Sequence, residues 1–340
     1  MYSEGLGISR RLFHNETPPH SVADSHKTMP SAAPVLTYAR QPTSASMRLP
    51  AGACDSHVHV FGPPERFPYS PQSVLRPATA SKETLFALHR HLGIERCVIV
   101  QSMVHGMDNR VIEDAIAAGQ GRYLGVALVP SDVSDAALDR LVARGFKGVR
   151  FNFMPHLGPA IDRSDLRLLS HRLADRDMHL QIHMASALIQ ELSPWLQEAA
   201  TPVVVDHMGR VDARQGLQSA EFQALCRLLD HSGLHVKVSG IDRVDAGVDA
   251  SGHPHQPFYS AGIALAHYLV KTFPEQCVWG TDWPHPHHTH VPDDGVLTDA
   301  LAQIAPSEQA LQALLVDNPL RLYKFDHVPS SIEPTEDAPA

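Results

Sequence analysis

From residue 54 onward, short and nearly continuous apolar runs alternate with longer segments whose apolar residues recur at helical spacing. The runs are CDSHVHVF (54–61), CVIVQ (97–101), YLGVALV (123–129), GVRFNF (148–153), HLQIHM (179–184), VVVDHMG (203–209), HVKVSG (235–240) and CVWGTDW (277–283). They are rich in β-branched residues and lack polar alternation, as strands buried on both faces should be. The intervening segments carry helix signals. Ser81-Lys82-Glu83 opens a helix that Gly93 closes, Ser134-Asp135 opens one that Gly145 closes, and Asp162-Arg163-Ser164-Asp165 opens a third. Eight strand–helix units of this kind predict an α/β fold with parallel strands and right-handed crossovers, closed into a (β/α)8 TIM-like barrel. An open doubly wound sheet would carry a glycine-rich phosphate turn after its first strand, and this chain has none there.

The barrel is expected over residues 49–326 as a single domain. Residues 1–48, rich in Pro, Ser, Thr and Ala, read as a disordered leader or as sequence upstream of a later start at Met29 or Met47. Residues 327–340 read as a disordered tail. A helix near 307–317 and the segment Asn318-Pro319-Leu320-Arg321-Leu322-Tyr323 are expected to pack across the barrel's outside. Ser9-Arg10-Arg11-Leu12-Phe13 looks like a twin-arginine export signal, but no apolar stretch follows it, so export is not expected.

Composition narrows the function classes. With 28 basic and 37 acidic side chains the net charge is −9, which argues against a nucleic-acid partner. No run approaches the roughly 18 apolar residues that a membrane span requires. Cys54, Cys97, Cys226 and Cys277 form no C-x-x-C and read as reduced thiols of a cytoplasmic protein.

Histidine is abundant, at 23 residues, and much of it closes apolar runs. In a barrel of this kind the C-terminal strand ends converge on one face, where catalysis takes place. Collected there are Asp55, His57 and His59 from the first strand, Arg150 from the fourth and His183 from the fifth. The sixth adds Asp206 and His207, and the eighth adds Asp282 with His285 beyond it. Arg243 follows the seventh strand. His57 and His59, two apart, share a strand face. Alone they fit a hydrogen-bonded core pair better than a metal site, since two-residue spacing is common. Converging with His183, His207 and Asp282, they suit a divalent metal with an open water position. Asp282 ends an apolar strand, where a buried carboxylate needs a purpose, and it can take the proton of an attacking water. Arg150 seeks a carboxylate on the substrate or on a neighbouring side chain. Arg243 fits either a surface arginine or an anion contact. In the loop His105-Gly106-Met107-Asp108-Asn109, His105 is a candidate substrate contact and Asp108 a helix cap or site residue. The cluster His285, His287, His288 and His290 reads as a solvated loop at the barrel mouth.

CDSHVHVFGP, HGMDN, GVRFNF, VVVDHMGR, VWGTDWPHP, PDDG and NPLRLY together resemble the amidohydrolase superfamily, in the group that contains 2-pyrone-4,6-dicarboxylate lactonase. The likeness spans roughly residues 50–326. It implies that His57, His59 and His207 surround a lactone carbonyl, that Asp282 activates water, and that Arg150 and Arg243 bind substrate carboxylates. At strand five the metal-free pyrone lactonase has tyrosine, whereas this chain has His183. Relatives with histidine there are similar to zinc enzymes such as sulfomuconolactone hydrolase. The resemblance therefore implies a divalent metal, zinc, on His57, His59, His183 and Asp282. His156 stands where the pyrone enzyme has another substrate-binding arginine, which points away from the pyrone dicarboxylate itself. The activity expected is hydrolysis of a small anionic lactone. A lactone isomerase or decarboxylase at the same site is the alternative, and a non-catalytic anion-binding barrel is a third reading.

Overall fold

Eight parallel strands pair in sequence order. They are β1 (Cys54–Val58), β2 (Arg96–Val100), β3 (Tyr123–Leu128), β4 (Phe146–Phe153), β5 (His179–Met184), β6 (Val203–Val205), β7 (Leu234–Lys237) and β8 (Cys277–Val278). The computed structural model describes residues 34–154, 163–245, 258–288 and 290–325. The twin-arginine motif, His156 and the tail from 327 lie outside those residues.

Helices α1 (Lys82–Leu92), α2 (Arg110–Ala118), α3 (Asp135–Ala143), α4 (Arg163–Ala174), α5 (Ile189–Gln197) and α6 (Ala220–Leu229) separate β1 through β7. Two more, α7 (Ile241–Val244) and α8 (Ser260–Thr272), lie between β7 and β8. Their starts follow the local chemistry. Ser81, Ser134 and Ser219 accept hydrogen bonds from the backbone N–H three residues on, satisfying donors that the first turn would leave unpaired. Gly93 ends α1 at φ 77°, a conformation open to glycine at little steric cost.

Strands β6 and β8 are shorter than their apolar runs suggest. After Val205 and Val278 the chain leaves the ladder to build the barrel rim. Backbone hydrogen bonds then bring the end of the sheet back to its beginning. Ser56 N–H donates to Trp279 O (2.8 Å), Asp282 N–H to His57 O (2.8 Å) and His59 N–H to Trp283 O (2.7 Å). A Cβ at Gly280 would lie 2.5 Å from the His57 amide nitrogen, so this approach requires glycine. Asp55 reinforces the seam. Its carboxylate accepts from Thr281 N (3.1 Å), Thr281 Oγ1 (2.6 Å) and His57 N (3.1 Å). Asp55 thus serves barrel closure and does not join the catalytic face, as its position on strand one had suggested.

The strands divide their side chains between two cores. Cys97, Ile99, Leu180, Ile182 and Val236 face the helices in the main core. Cys54, Val98, Val100, Leu124, Val126, Val204 and Val278 form a second cluster inside the barrel. Leu322 and Tyr323 belong to this inner cluster. The C-terminal segment therefore plugs the barrel floor, correcting the expectation that it lies across the outside. Above the plug the lumen turns polar. Lys237 Nζ donates to Gln181 Oε1 (2.8 Å) and Ser56 O (2.9 Å).

Residues 34–48 pack on the barrel. Val35 pairs with Pro77, Thr43 N–H donates to Asp293 Oδ1 (3.1 Å), and Ser46 N–H donates to Asp299 Oδ1 (2.8 Å). Tyr38 packs its ring 5.1 Å from that of Trp283. All four cysteines are free. No helix among the described residues is long and apolar enough to cross a membrane.

The seam generates a stability prediction. Thr281→Val keeps the side-chain shape but removes the hydroxyl from the buried Asp55 carboxylate. Leaving such an acceptor short of a partner costs about 1–3 kcal/mol. Urea unfolding should show a lower midpoint with an unchanged slope, and a change below about 0.5 kcal/mol would remove Asp55 from this role.

Candidate active site

At the C-terminal end of the barrel a cavity of about 140 Å³ is lined by His59, Arg150, His183, His207, Arg210, Arg243 and Asp282, with Ser102, Met103, Met154, Pro286 and His287. An apolar cavity of about 150 Å³ accommodates a benzene-sized ring. His57 lies directly beneath, fully buried.

Four imidazoles are oriented by what their Nδ1 atoms meet. His59 Nδ1 lies 2.7 Å from Val100 O, a group that only accepts, so Nδ1 carries the proton. His183 Nδ1 faces Asn152 Oδ1 at 3.0 Å, and His57 Nδ1 faces Asp206 Oδ1 at 3.2 Å. In all three the Nε2 lone pair is left for the cavity side. His207 differs, because Ser239 Oγ at 2.9 Å from its Nδ1 can donate as well as accept.

Asp282 stands where these rings meet. Its Oδ1 is 3.3 Å from His59 Nε2, 3.7 Å from His57 Nε2 and 3.8 Å from His207 Nε2. Arg243 Nε donates to Oδ2, and the Arg243 guanidinium also reaches Pro286 O at 3.0 Å. Burial would raise the Asp282 pKa, but Arg243, His207 and His59 hold it well below the ordinary carboxylate value. Burial and then Lys237 push the His57 pKa down to about 3. Burial, followed by Arg150 for His183, places His183 and His207 well below the usual histidine value. These three imidazoles are therefore neutral at physiological pH.

The neutral, oriented rings pose an electrostatic problem. Lone pairs of His57 and His59 point at a carboxylate oxygen that has no hydrogen bond among the described residues. A positive species between them, a metal ion or a proton on one Nε2, resolves the repulsion. His57, His59 and Asp282 each offer a ligand atom within 4.8 Å of the others, so the donor set fits a divalent metal. His57, held through its other nitrogen by Asp206, has the carboxylate-backed geometry common among metal-bound histidines. His183 is outside this trio. It faces the same cavity, edge-on to His207 at a ring separation of 5.8 Å, with Nε2 unpartnered among the described residues.

The arginines sort into two kinds. Arg150 Nε donates to Asp206 Oδ2 at 2.8 Å, so the neighbouring-carboxylate reading holds for that nitrogen while the side chain still lines the cavity. Arg243, far from being a surface residue, grips Asp282. Arg210 was not singled out from the sequence, although it closes the VVVDHMGR motif. It makes no hydrogen bond or ion pair to another described residue, and burial, then Arg243, lower its pKa to about 10. Its sequence signal was an arginine five residues beyond the end of a buried strand.

Two candidates fall elsewhere. His105 accepts from Gly62 N at Nε2 (3.2 Å) and faces Pro68 O with Nδ1 (3.1 Å), so both nitrogens brace a loop and neither lines the cavity. Nor is the histidine cluster after β8 a solvated loop throughout. His285 is fully buried, its Nε2 3.0 Å from Asp294 Oδ1, and His288 faces Asp242 Oδ2 at 2.6 Å. His287 alone of these is exposed and lines the cavity mouth.

The amidohydrolase family model matches residues 54–325. The chain belongs to this family. It is 40% identical over 290 residues to 2-pyrone-4,6-dicarboxylate hydrolase of Comamonas testosteroni, covering 85% of this chain and 95% of that protein. It is 35% identical over 279 residues to 4-sulfomuconolactone hydrolase of Hydrogenophaga intermedia, covering 81% and 89%. Among solved structures, a probable 2-pyrone-4,6-dicarboxylic acid hydrolase of Acinetobacter baumannii with citric acid bound superposes with a TM-score of 0.70 at 26% identity. That match covers 81% of this chain and 100% of the other. The relationship establishes this chain as an amidohydrolase-family enzyme with the barrel predicted from its strand pattern.

The two kinds of arginine should separate in stability measurements. Arg150→Met leaves the buried Asp206 carboxylate without its closest cation and should cost about 3–5 kcal/mol. Arg210→Met removes a half-buried cation that has no described carboxylate partner, and should leave the urea midpoint unchanged or raised. Equal losses in both variants would refute this division.

Proposed function

We propose that this enzyme hydrolyses a small carboxylated lactone, with Asp282 as general base. The observation carrying the proposal is one cavity whose wall bears the ionised Asp282, oriented imidazoles and three guanidiniums. The names of two of its relatives, a 2-pyrone-4,6-dicarboxylate hydrolase and a 4-sulfomuconolactone hydrolase, support the same reaction class.

Arg210 anchors the substrate carboxylate, assisted by the cavity-facing side of Arg150, so that the ring carbonyl lies among the imidazoles. A charge-assisted contact of this kind both selects an anion and fixes its orientation. Asp282 Oδ1 accepts a proton as water attacks the carbonyl carbon. The ring C–O bond then breaks, and Asp282 returns the proton to the departing oxygen. Arg243 keeps Asp282 ionised and aimed. His207 can donate from Nε2 to the carbonyl oxygen when Ser239 donates to its Nδ1, an option closed to His59. A divalent ion, zinc by ligand type, would be held by His57, His59 and Asp282, with His183 as a further ligand. When bound, it would polarise the carbonyl and acidify water. The free cysteines fit a cytoplasmic setting.

Two outcomes test this reading. Asp282→Asn should fold normally and lose roughly 10²–10⁴-fold in kcat on any accepted lactone, the usual contribution of a positioned base. Near-normal turnover would move the base elsewhere. Product analysis by mass should show the addition of one water, whereas an isomeric lactone or CO₂ release would replace hydrolysis with the alternative reactions.

Arg210→Met should lower kcat/KM for carboxylated lactones by about 10- to 100-fold, the worth of one charge-assisted hydrogen bond. Neutral lactones of the same ring, already poor substrates, should be unaffected. Equal losses on both would show that Arg210 does not read the substrate's charge.

A further inference from the structure

Behind the rim lies a second group of ligating side chains that the hydrolytic chemistry does not use. Asp242 and His285 are fully buried, and the His288 side chain is 5% exposed. Each offers one ligand atom, and the three atoms lie within 4.8 Å of one another. The group shares no residue with the Asp282 trio.

Its hydrogen bonding is incomplete in a specific way. His285 Nε2 faces Asp294 Oδ1 at 3.0 Å and donates to it, which leaves Nδ1 buried without a hydrogen bond among the described residues. Both Asp242 oxygens also lack a hydrogen bond there. His288 Nε2 approaches Asp242 Oδ2 to 2.6 Å but without hydrogen-bond geometry. A carboxylate backing one nitrogen of an imidazole is the outer-shell pattern that orients metal-bound histidines.

We propose that Asp242, His285 and His288 form a second divalent-cation site, of the two-nitrogen, one-carboxylate type that suits zinc. Zinc ligands at about 2.0–2.1 Å in a tetrahedral site stand ~3.3 Å apart, so His288 moves back less than about 1 Å to admit the ion. The surroundings favour positive charge. Asp294, Asp242 and Asp282 favour a positive charge at His285, so zinc would take the place of a proton on its ring. Burial holds His288 down at about 4, leaving its lone pair available. The site ties α7 to the chain after β8. Asp242 adjoins Arg243, and His285 follows Asp282 by three residues, so a cation here fixes the two halves of the Arg243–Asp282 pair relative to each other.

The test counts metal and needs no substrate. Full-length Asp282→Asn and Asp282→Asn/His288→Ala proteins are stripped with chelator, saturated with zinc, desalted and analysed for bound metal. The single variant should carry one more equivalent than the double. Zinc should raise its Tm by roughly 5 °C more, as expected for a ligand well above its Kd. Cobalt should give visible d–d absorption in the first that the second lacks. Asp242→Asn, nearly isosteric, replaces His288→Ala in the same comparison if the latter fails to fold. Equal zinc content in the two proteins overturns the proposal, and a proton shared between Asp242 and the histidines then balances the cluster.

Discussion

Asp206 is fully buried in the barrel lumen, 2.8 Å from Arg150 Nε, 3.2 Å from His57 Nδ1 and 3.7 Å from Lys237 Nζ. Desolvating a carboxylate costs several kcal/mol, so it can stay ionised only because these groups converge on it. Burial works to raise its pKa, and Arg150, His57 and Lys237 bring it well below the ordinary value. The consequences spread upward and downward. Above, Asp206 stands 3.2 Å from His57 Nδ1 and favours a proton there, which turns Nε2 toward Asp282. Below, it holds Lys237, whose ammonium also binds Gln181 and the β1 backbone. One carboxylate thus links β1, β4, β6 and β7, and it connects the barrel's polar middle to its reactive rim.

The rim itself is built from strained backbone. His207, Met208, Arg210, Asp282, His285 and His287 all have positive φ, a region that non-glycine residues enter at a cost. Their β-strands stop early so that these residues can turn inward. Along an ideal strand, side chains two apart share a face, and neighbours cannot both enter the lumen. Left-handed turns relax that rule, letting His207 and Arg210 line one cavity with only two residues between them. Strain of this order is tolerable because the barrel beneath is joined end to end by backbone hydrogen bonds and tightly packed.

Much of the fold was legible because its signal is repetitive. Eight β-branched runs at regular intervals have few architectures available, and serine caps and Gly93 punctuated the helices where expected. His57, His59, His207 and Asp282 were legible for a related reason, since strand ends in a parallel barrel share one face. What escaped depended on partners remote in sequence. Asp55 shared the parity of His57, but a register irregularity between Asp55 and Val58 sends it to Thr281. His105 looked available until Gly62 and Pro68 were seen to use both nitrogens. Residues 34–48 lack periodicity because carboxylates some 250 positions away hold them, through Thr43 and Ser46. Arg210 and the Asp242–His288 contact depend on left-handed turns, for which non-glycine residues leave no sequence signature.

The arrangement of charge also decides what the cavity can accept. Arg150, Arg210, Arg243 and Lys237 supply up to four positive charges around two carboxylates, Asp206 and Asp282, among the described residues. Lys237 lowers its own share, because burial brings its pKa down to about 8. The remainder is a surplus positive field, concentrated at Arg210, which no described carboxylate pairs. Such a field in a low-dielectric wall attracts an anion and repels a cationic or strongly dipolar competitor of the wrong sense. A divalent ion among the imidazoles would enlarge that surplus by two charges. Metal and substrate carboxylate would then stabilise each other, since the anion offsets the positive field that opposes the ion. A neutral ring could fill the volume, but it would leave Arg210 desolvated and unpaired. The proposed preference for an anionic substrate would then be set by the charges of the cavity wall, before any substrate contact forms.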